Sequence, residues 1–168
     1  YKSAGLAAIS LAVSDFDRAA PQGTGSYKAG ANYAGGLLAT LKAQELGASE
    51  ALYLDSASHR FIDEAGSANI IVALKNGDLV TPSSNAILPS ITRRSIMKIA
   101  RQQFGIKTEE RAIDLRGEFD SFAEMSACGT AAVLSPVGRV YFDSKWHIVF
   151  WDGHSVCAVI QKLFDSLI

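Results

Sequence analysis

A single lysine, Lys28, stands inside a run of glycine, alanine and small polar residues that extends from Gly23 to Gly36. Glycine gives up side-chain contacts, so the backbone there can approach another group closely or take a positive φ. A lysine in such a setting has no bulky neighbour to lie along. The residues alone allow two readings. One is a solvated lysine on a surface loop, the ordinary state of lysines. The other is a lysine aimed into a cavity whose walls are kept small to admit a flat ligand. A desolvated lysine loses its charge readily and can attack a carbonyl. The rest of the chain must decide between them.

The chain has 168 residues and is 48% hydrophobic, which suits one domain with a sizeable core. Its net charge is −1 with both signs interspersed, which argues against nucleic acid or an anionic membrane as partner. No apolar run reaches the length of a membrane span. The chain shows no signal-peptide pattern and begins at Tyr1, so further sequence is expected upstream. Cys128 and Cys157 are far apart and read as reduced thiols of a cytoplasmic protein. His59, His147 and His154 lack metal-ligand spacing, and no metal site is expected.

Hydrophobic periodicity sets the expected elements. Leu6 to Phe16 predicts a buried strand, broken by Ala19-Ala20-Pro21-Gln22-Gly23. A helix is predicted from Asn32, its N-cap, to a stop at Gly47, with Leu37, Leu38, Leu41 and Leu46 on one face. Strands are expected at Ala51 to Asp55, Arg60 to Asp63 and Asn69 to Leu74. Asn76-Gly77 predicts a type I′ hairpin into Asp78 to Thr81. After a loop to Pro89, Ser90 or Thr92 caps a helix running to Phe104, with Ile96, Ile99 and Ala100 inward and Gly105 as its stop. An extended segment over Ile106 to Leu115 and a turn or short helix over Gly117 to Phe122 come next. Strands at Glu124 to Cys128, Ala131 to Val140 and His147 to Phe150, then a helix from Ser155 to Leu167, complete the chain. Strands outnumber helices and are joined by short turns. The expected class is α+β, a mixed sheet closing into a barrel-like core with helices packed outside.

Three further stretches can carry chemistry. Glu64 sits in an otherwise small and apolar passage. An exposed acid at a strand end is the commoner outcome, and a buried one would need a cationic or protonated partner. Ile87 to Arg93 feeds a helix start, where free N–H groups and the helix dipole suit an anion as well as an ordinary cap. Ser126 to Ala132 is a small-residue turn that can expose N–H donors and the Thr130 hydroxyl. Together they supply a lysine, a carboxylate and two anion cradles, the parts a pyridoxal phosphate site needs.

The strings KAGANYAGG (28–36), EAGSAN (64–69), ILPSITR (87–93) and ACGTAAVLSPVG (127–138) resemble, in order, the motifs of branched-chain amino acid aminotransferases. These are fold-type IV pyridoxal phosphate enzymes. D-amino acid aminotransferases and aminodeoxychorismate lyase share the scaffold, and an inactive isolated domain is a further alternative. The resemblance implies pyridoxal 5′-phosphate as cofactor and amino transfer between leucine, isoleucine or valine and 2-oxoglutarate. It implies that Lys28 is the Schiff-base lysine and proton shuttle, that Tyr33 bonds the cofactor's phenolic oxygen, and that Glu64 pairs with its pyridine nitrogen. Leu88 would pack on the ring. Backbone groups of Ile91 and Thr92, with the Thr92 and Thr130 hydroxyls, would hold the phosphate. Thr130 and Ala131 would face the substrate carboxylate, and Asn69 would support the site.

The sequence departs from the family pattern at Ser90, where glycine is common, and lacks the CxxC pair of some relatives at Ala131 to Leu134. After Val140 the likeness fades. Residues 1–168 are thus expected to be the C-terminal, cofactor-binding domain of a longer, homodimeric enzyme. Its N-terminal domain, absent from this chain, would supply an arginine to the phosphate and much of the side-chain pocket.

Overall fold

The computed structural model describes residues 8–66, 68–130, 133–149 and 158–167. Among the described residues there are nine strands and five α-helices: β1 (Ile9–Val13), α1 (Ala31–Ala34), α2 (Gly36–Glu45), β2 (Glu50–Leu54), β3 (Ile62–Ala65), β4 (Ala68–Leu74) and β5 (Leu79–Pro82) come first. Then follow α3 (Ile91–Phe104), β6 (Thr108–Arg111), α4 (Leu115–Glu118), β7 (Phe122–Gly129), β8 (Val133–Phe142), β9 (Lys145–Ile148) and α5 (Ala158–Asp165).

The strands pair in the order β3-β2-β1-β8-β7-β4, and β4 returns to β3. That return closes a six-stranded barrel, which leaves none of these strands as a bare edge. Closure works because one edge of β4 is shared. Its first residues pair with β3 (Glu64 with Asn69, Ala65 with Ala68), and its later ones pair with β5 (Val72 with Val80). β1 runs parallel to both β2 and β8, and β5 parallel to β6, so the sheet is mixed as expected.

The period-two alternation of β4 divides the core. Ile70 and Val72 join Leu11, Leu52, Ile62, Met125 and Val137 in one cluster. Ile71 and Ala73 join Ile96, Met97, Ala100, Cys128 and Leu163 in a second, beneath α3 and α5. Ala12, Ala39, Ala43, Ala51 and Tyr53 form a third, where α2 lies on the sheet.

Several expectations need correction. The leucines of α2 point outward: Leu37 is 63% and Leu38 58% exposed, whereas Ala39 and Ala43 are buried. Asn32 caps no helix and is itself buried inside α1, whose N-cap is Gly30. The hairpin at Asn76-Gly77 is real but is not type I′. Only Gly77 has a positive φ, and its N–H donates to the Leu74 carbonyl at 2.8 Å. That is the hydrogen bond of a type I turn closed by a left-handed glycine. β3 runs through Glu64 to Ala65 instead of ending at Asp63. α4 begins at Leu115 because Asp114 caps it, accepting from the Gly117 N–H at 3.0 Å. Cys157 and His154 lie outside the described residues, as does Ser155, where the last helix was expected to begin.

Candidate active site

The approach to Lys28 is a folded turn held by backbone and one side chain. The Ala20 carbonyl accepts from both Gly23 N (3.2 Å) and Gly25 N (3.0 Å). The Asn32 amide Nδ2 donates to the carbonyls of Thr24 (2.6 Å) and Tyr27 (2.8 Å), while its Oδ1 accepts from the Thr24 hydroxyl (2.9 Å). Asn32 therefore fixes the turn just ahead of the lysine. Gly25 shows the close approach that the glycine content suggested. A Cβ there would lie 2.7 Å from the Ala20 carbonyl and 2.8 Å from Ala86 Cα, so the loop is pressed against the 83–90 segment. Gly30 and Gly35 face open space.

Beyond that turn, Lys28 borders a cavity of about 280 Å³, together with Tyr33, Glu64, Asn69, Leu88 and Thr130. Ala68, Ser90, Cys128 and Gly129 complete its wall. Lys28 stands at the rim, exposed to solvent on its other side.

The β3–β4 pairing explains why Glu64 and Asn69 meet. They are register partners, and each is only 2% exposed. The buried Glu64 carboxylate has the partners its burial demands. Its Oε2 lies 3.3 Å from Arg18 Nε and accepts from the Leu88 N–H at 3.0 Å. Burial pushes the Glu64 carboxyl upward in pKa, and Arg18 and the Leu88 N–H oppose that. No hydrogen bond reaches Oε1 among the described residues, so one oxygen remains for whatever enters the cavity.

Asn69 also pairs across the sheet with Cys128. Burial drives the Cys128 thiol up to about 12, which removes it as a nucleophile. It serves as wall.

The opposite wall comes from α3. Ser90 is its N-cap, accepting from the Arg93 N–H at 3.2 Å, and Ser90 borders the cavity. The N–H groups of Ile91 and Thr92 find no acceptor among the described residues, leaving donors at the positive end of a fourteen-residue helix. The side chains of Ile91 (73% exposed) and Thr92 do not line the cavity. Ala131 lies outside the described residues.

Sequence reasoning passed over Arg18. The available signal was conditional: a buried Glu64 requires a cation, and Arg18 is the one that supplies it. Ser90, expected as a cap and as part of an anion cradle, is the N-cap of α3 and also lines the cavity.

The arrangement fits a phosphorylated pyridine cofactor on three points. One Glu64 oxygen is free, the buried Asn69 Oδ1 has no partner, and unpaired N–H donors stand beside Ser90. A cavity of about 280 Å³ is near the lower end for small-molecule sites.

A mixed α+β fold around a closed six-stranded barrel matches the structures of fold-type IV aminotransferases. The chain belongs to the amino-transferase class IV family, whose family model matches residues 1–140. It is 41% identical to the branched-chain-amino-acid aminotransferase of Haemophilus influenzae, over 99% of this chain and 50% of that protein. It is 40% identical to the Helicobacter pylori enzyme of the same name, over 91% of this chain and 44% of that one. Among solved structures, the branched-chain amino acid aminotransferase of Escherichia coli superposes with a TM-score of 0.79 at 30% identity, over 95% of this chain and 51% of that one. The Thermobaculum terrenum enzyme in its PLP-form superposes with a TM-score of 0.74 at 28% identity, over 81% of this chain and 44% of that one. The chain thus spans about half the length of the relatives it matches.

Proposed function

We propose that this chain is the lysine-bearing, cofactor-binding domain of a pyridoxal 5′-phosphate-dependent branched-chain amino acid aminotransferase. The full enzyme would move an amino group between leucine, isoleucine or valine and 2-oxoglutarate. An N-terminal domain upstream and a homodimer in the cytoplasm complete the reading, which rests on the names and lengths of the relatives. The observation that carries it is the gathering of Lys28, Glu64, Asn69 and Thr130, from four separate stretches, around one cavity.

The residues divide the work. Lys28 Nζ is the attachment point for the cofactor. Lys28 would also be the base that holds and moves the proton removed from the substrate Cα. Pyridoxal phosphate, when bound, supplies an electron-accepting ring that makes this Cα proton removable. Glu64 Oε1 accepts from the ring nitrogen and favours its protonated form. Tyr33 would donate to the phenolic oxygen, and Leu88 would pack on the ring; both border the cavity. The N–H groups of Ile91 and Thr92, with the Thr130 hydroxyl, would hold the phosphate at the α3 N-terminus, and the Thr92 hydroxyl, outside the cavity lining, would join them only by turning toward it. Thr130 and Ala131 would receive the substrate carboxylate, and Asn69, in the cavity wall, would support the site.

In the full-length protein, Lys28→Ala is expected to abolish transfer and the visible absorption of bound cofactor. Borohydride is expected to fix the cofactor on the Lys28 peptide of the unsubstituted protein. Absorption retained in Lys28→Ala would overturn the assignment. Glu64→Ala should slow transfer by about 10²-fold or more, well beyond its effect on cofactor affinity. A panel of amino acids scored by the keto acid formed tests the substrate class. Turnover of D-amino acids alone would redirect the reading within the same scaffold.

A further inference from the structure

We infer that Arg18 is a positioning residue for Glu64: it keeps that carboxylate ionised with Oε1 turned to the cavity, and it ties the lysine-bearing loop to the Leu88 segment. The inference rests on the reading above, in which Glu64 meets the cofactor's ring nitrogen.

Arg18 follows β1 and is 6% exposed. Two of its three guanidinium nitrogens are engaged, and Nη2 is buried with no hydrogen-bond partner among the described residues. Nε sits 3.3 Å from Glu64 Oε2. Nη1 donates to the Gly25 carbonyl at 3.2 Å and to the Ala86 carbonyl. Gly25 lies three residues before Lys28, and Ala86 two before Leu88, so one side chain joins the acid to two walls of its cavity. A planar fork can hold these three acceptors at once, whereas a lysine ammonium, a point charge on a flexible stem, cannot hold them in that plane.

The charge matters as much as the geometry. A carboxyl as buried as Glu64 takes up a proton unless a cation or donors stabilise its charged form. The groups acting on it are few. Arg18 and the Leu88 N–H favour the carboxylate, with a smaller contribution from Arg93, while Asp63 on the same strand opposes it. Lys28 and Cys128 share the cavity wall with Glu64. Arg18 is the largest favourable contribution.

One proton is at stake between Glu64 and the ring nitrogen. If Glu64 is ionised, that proton resides on the nitrogen and the ring carries the positive charge that strengthens it as an electron acceptor. If Glu64 is neutral, the proton stays on the carboxyl and the ring is uncharged. Arg18 touches neither ring nor substrate, yet it decides between the two.

The test is the titration of Glu64 in the full-length protein stripped of cofactor, followed by infrared difference against Glu64→Gln. In the unsubstituted protein Glu64 is expected to be ionised at neutral pH. Arg18→Met is expected to raise its midpoint by about one to three pH units, and Arg18→Lys to return most of that shift. In the loaded protein, ¹⁵N resonances of labelled pyridoxal phosphate are expected to move toward the unprotonated ring in Arg18→Met. A midpoint unchanged in folded Arg18→Met overturns the inference. So does a Glu64 that is protonated at neutral pH beside Arg18, a measurement that stands even if Arg18→Met does not fold. Failure of the unsubstituted protein to bind pyridoxal phosphate would overturn the functional reading instead, and the titration of Glu64 would still report on Arg18.

Discussion

α2 and α3 flank the same barrel, and they meet it by opposite means. α3 buries Arg93, Ile96, Met97 and Ala100, a stripe at three- and four-residue spacing, and its bulky apolar residues face the sheet. Ser90 caps its start, and Gly105, at φ 65°, ends it in the left-handed region. α2 buries Ala39 and Ala43, has no side-chain cap, and turns Leu37, Leu38, Leu41 and Leu46 to solvent. The cause lies in the surface beneath it. Ala12, Ala51 and Tyr53 meet the two alanines, and alanine against alanine lets helix and sheet approach closely. Leucines in that seam would hold them apart. An apolar stripe on a helix therefore shows that something will cover it, and not which neighbour.

The largest test of this contrast is in α3. Ile96 is fully buried between helix and sheet, so Ile96→Ala leaves a cavity and should cost about 2–5 kcal/mol in chemical denaturation. A loss no larger than that of a surface leucine would show that α3 is not held by its stripe. Next comes the seam of α2. Ala43 is 3% exposed among other small side chains, so Ala43→Leu overpacks it and should cost about 1–3 kcal/mol. Here adding apolar bulk destabilises, the reverse of what the leucine-rich reading of α2 predicts. Ser90→Ala removes the bond from the Arg93 N–H and should cost about 1 kcal/mol. It should also weaken inorganic phosphate binding, since Ser90 lines the cavity at the helix N-terminus.

Much of the barrel was legible because strands announce themselves by alternation and by turn residues, as in β4, Gly77 and β5. Closure into a barrel was legible as well; the pairing that makes it, the return of β4 to β3, was not, because it is set by three-dimensional register. The site was legible where a residue type is unusual for its surroundings, as with Lys28 among glycines and Glu64 among small apolar residues. Arg18 was not, because an arginine beside Asp17 reads as surface charge until the burial of Glu64 is known. Asn32 misled for a related reason: its side chain serves both a helix cap and a turn clamp, and only the position of the Thr24 and Tyr27 carbonyls separates them.

The smallest expected effect is the most informative about α2. Leu38 is 58% exposed, so Leu38→Ser in the 168-residue chain should change stability by less than about 0.5 kcal/mol. Leu37, Leu38 and Leu41 lie exposed on α2, and Leu37 borders one hollow with the half-exposed Tyr33 of α1, so the apolar surface there is grouped, not scattered. If an upstream domain or a second copy covers that group, the same substitution in the full-length protein should cost about 1.5 kcal/mol or more, because burying a leucine side chain is worth about that much. Equal small losses in both forms would mean that the leucine face stays wet and that α2 is held by its alanines alone. A large loss only in the longer form would make α2 a helix with two buried faces, a small one formed with its own barrel and a large one formed with something else.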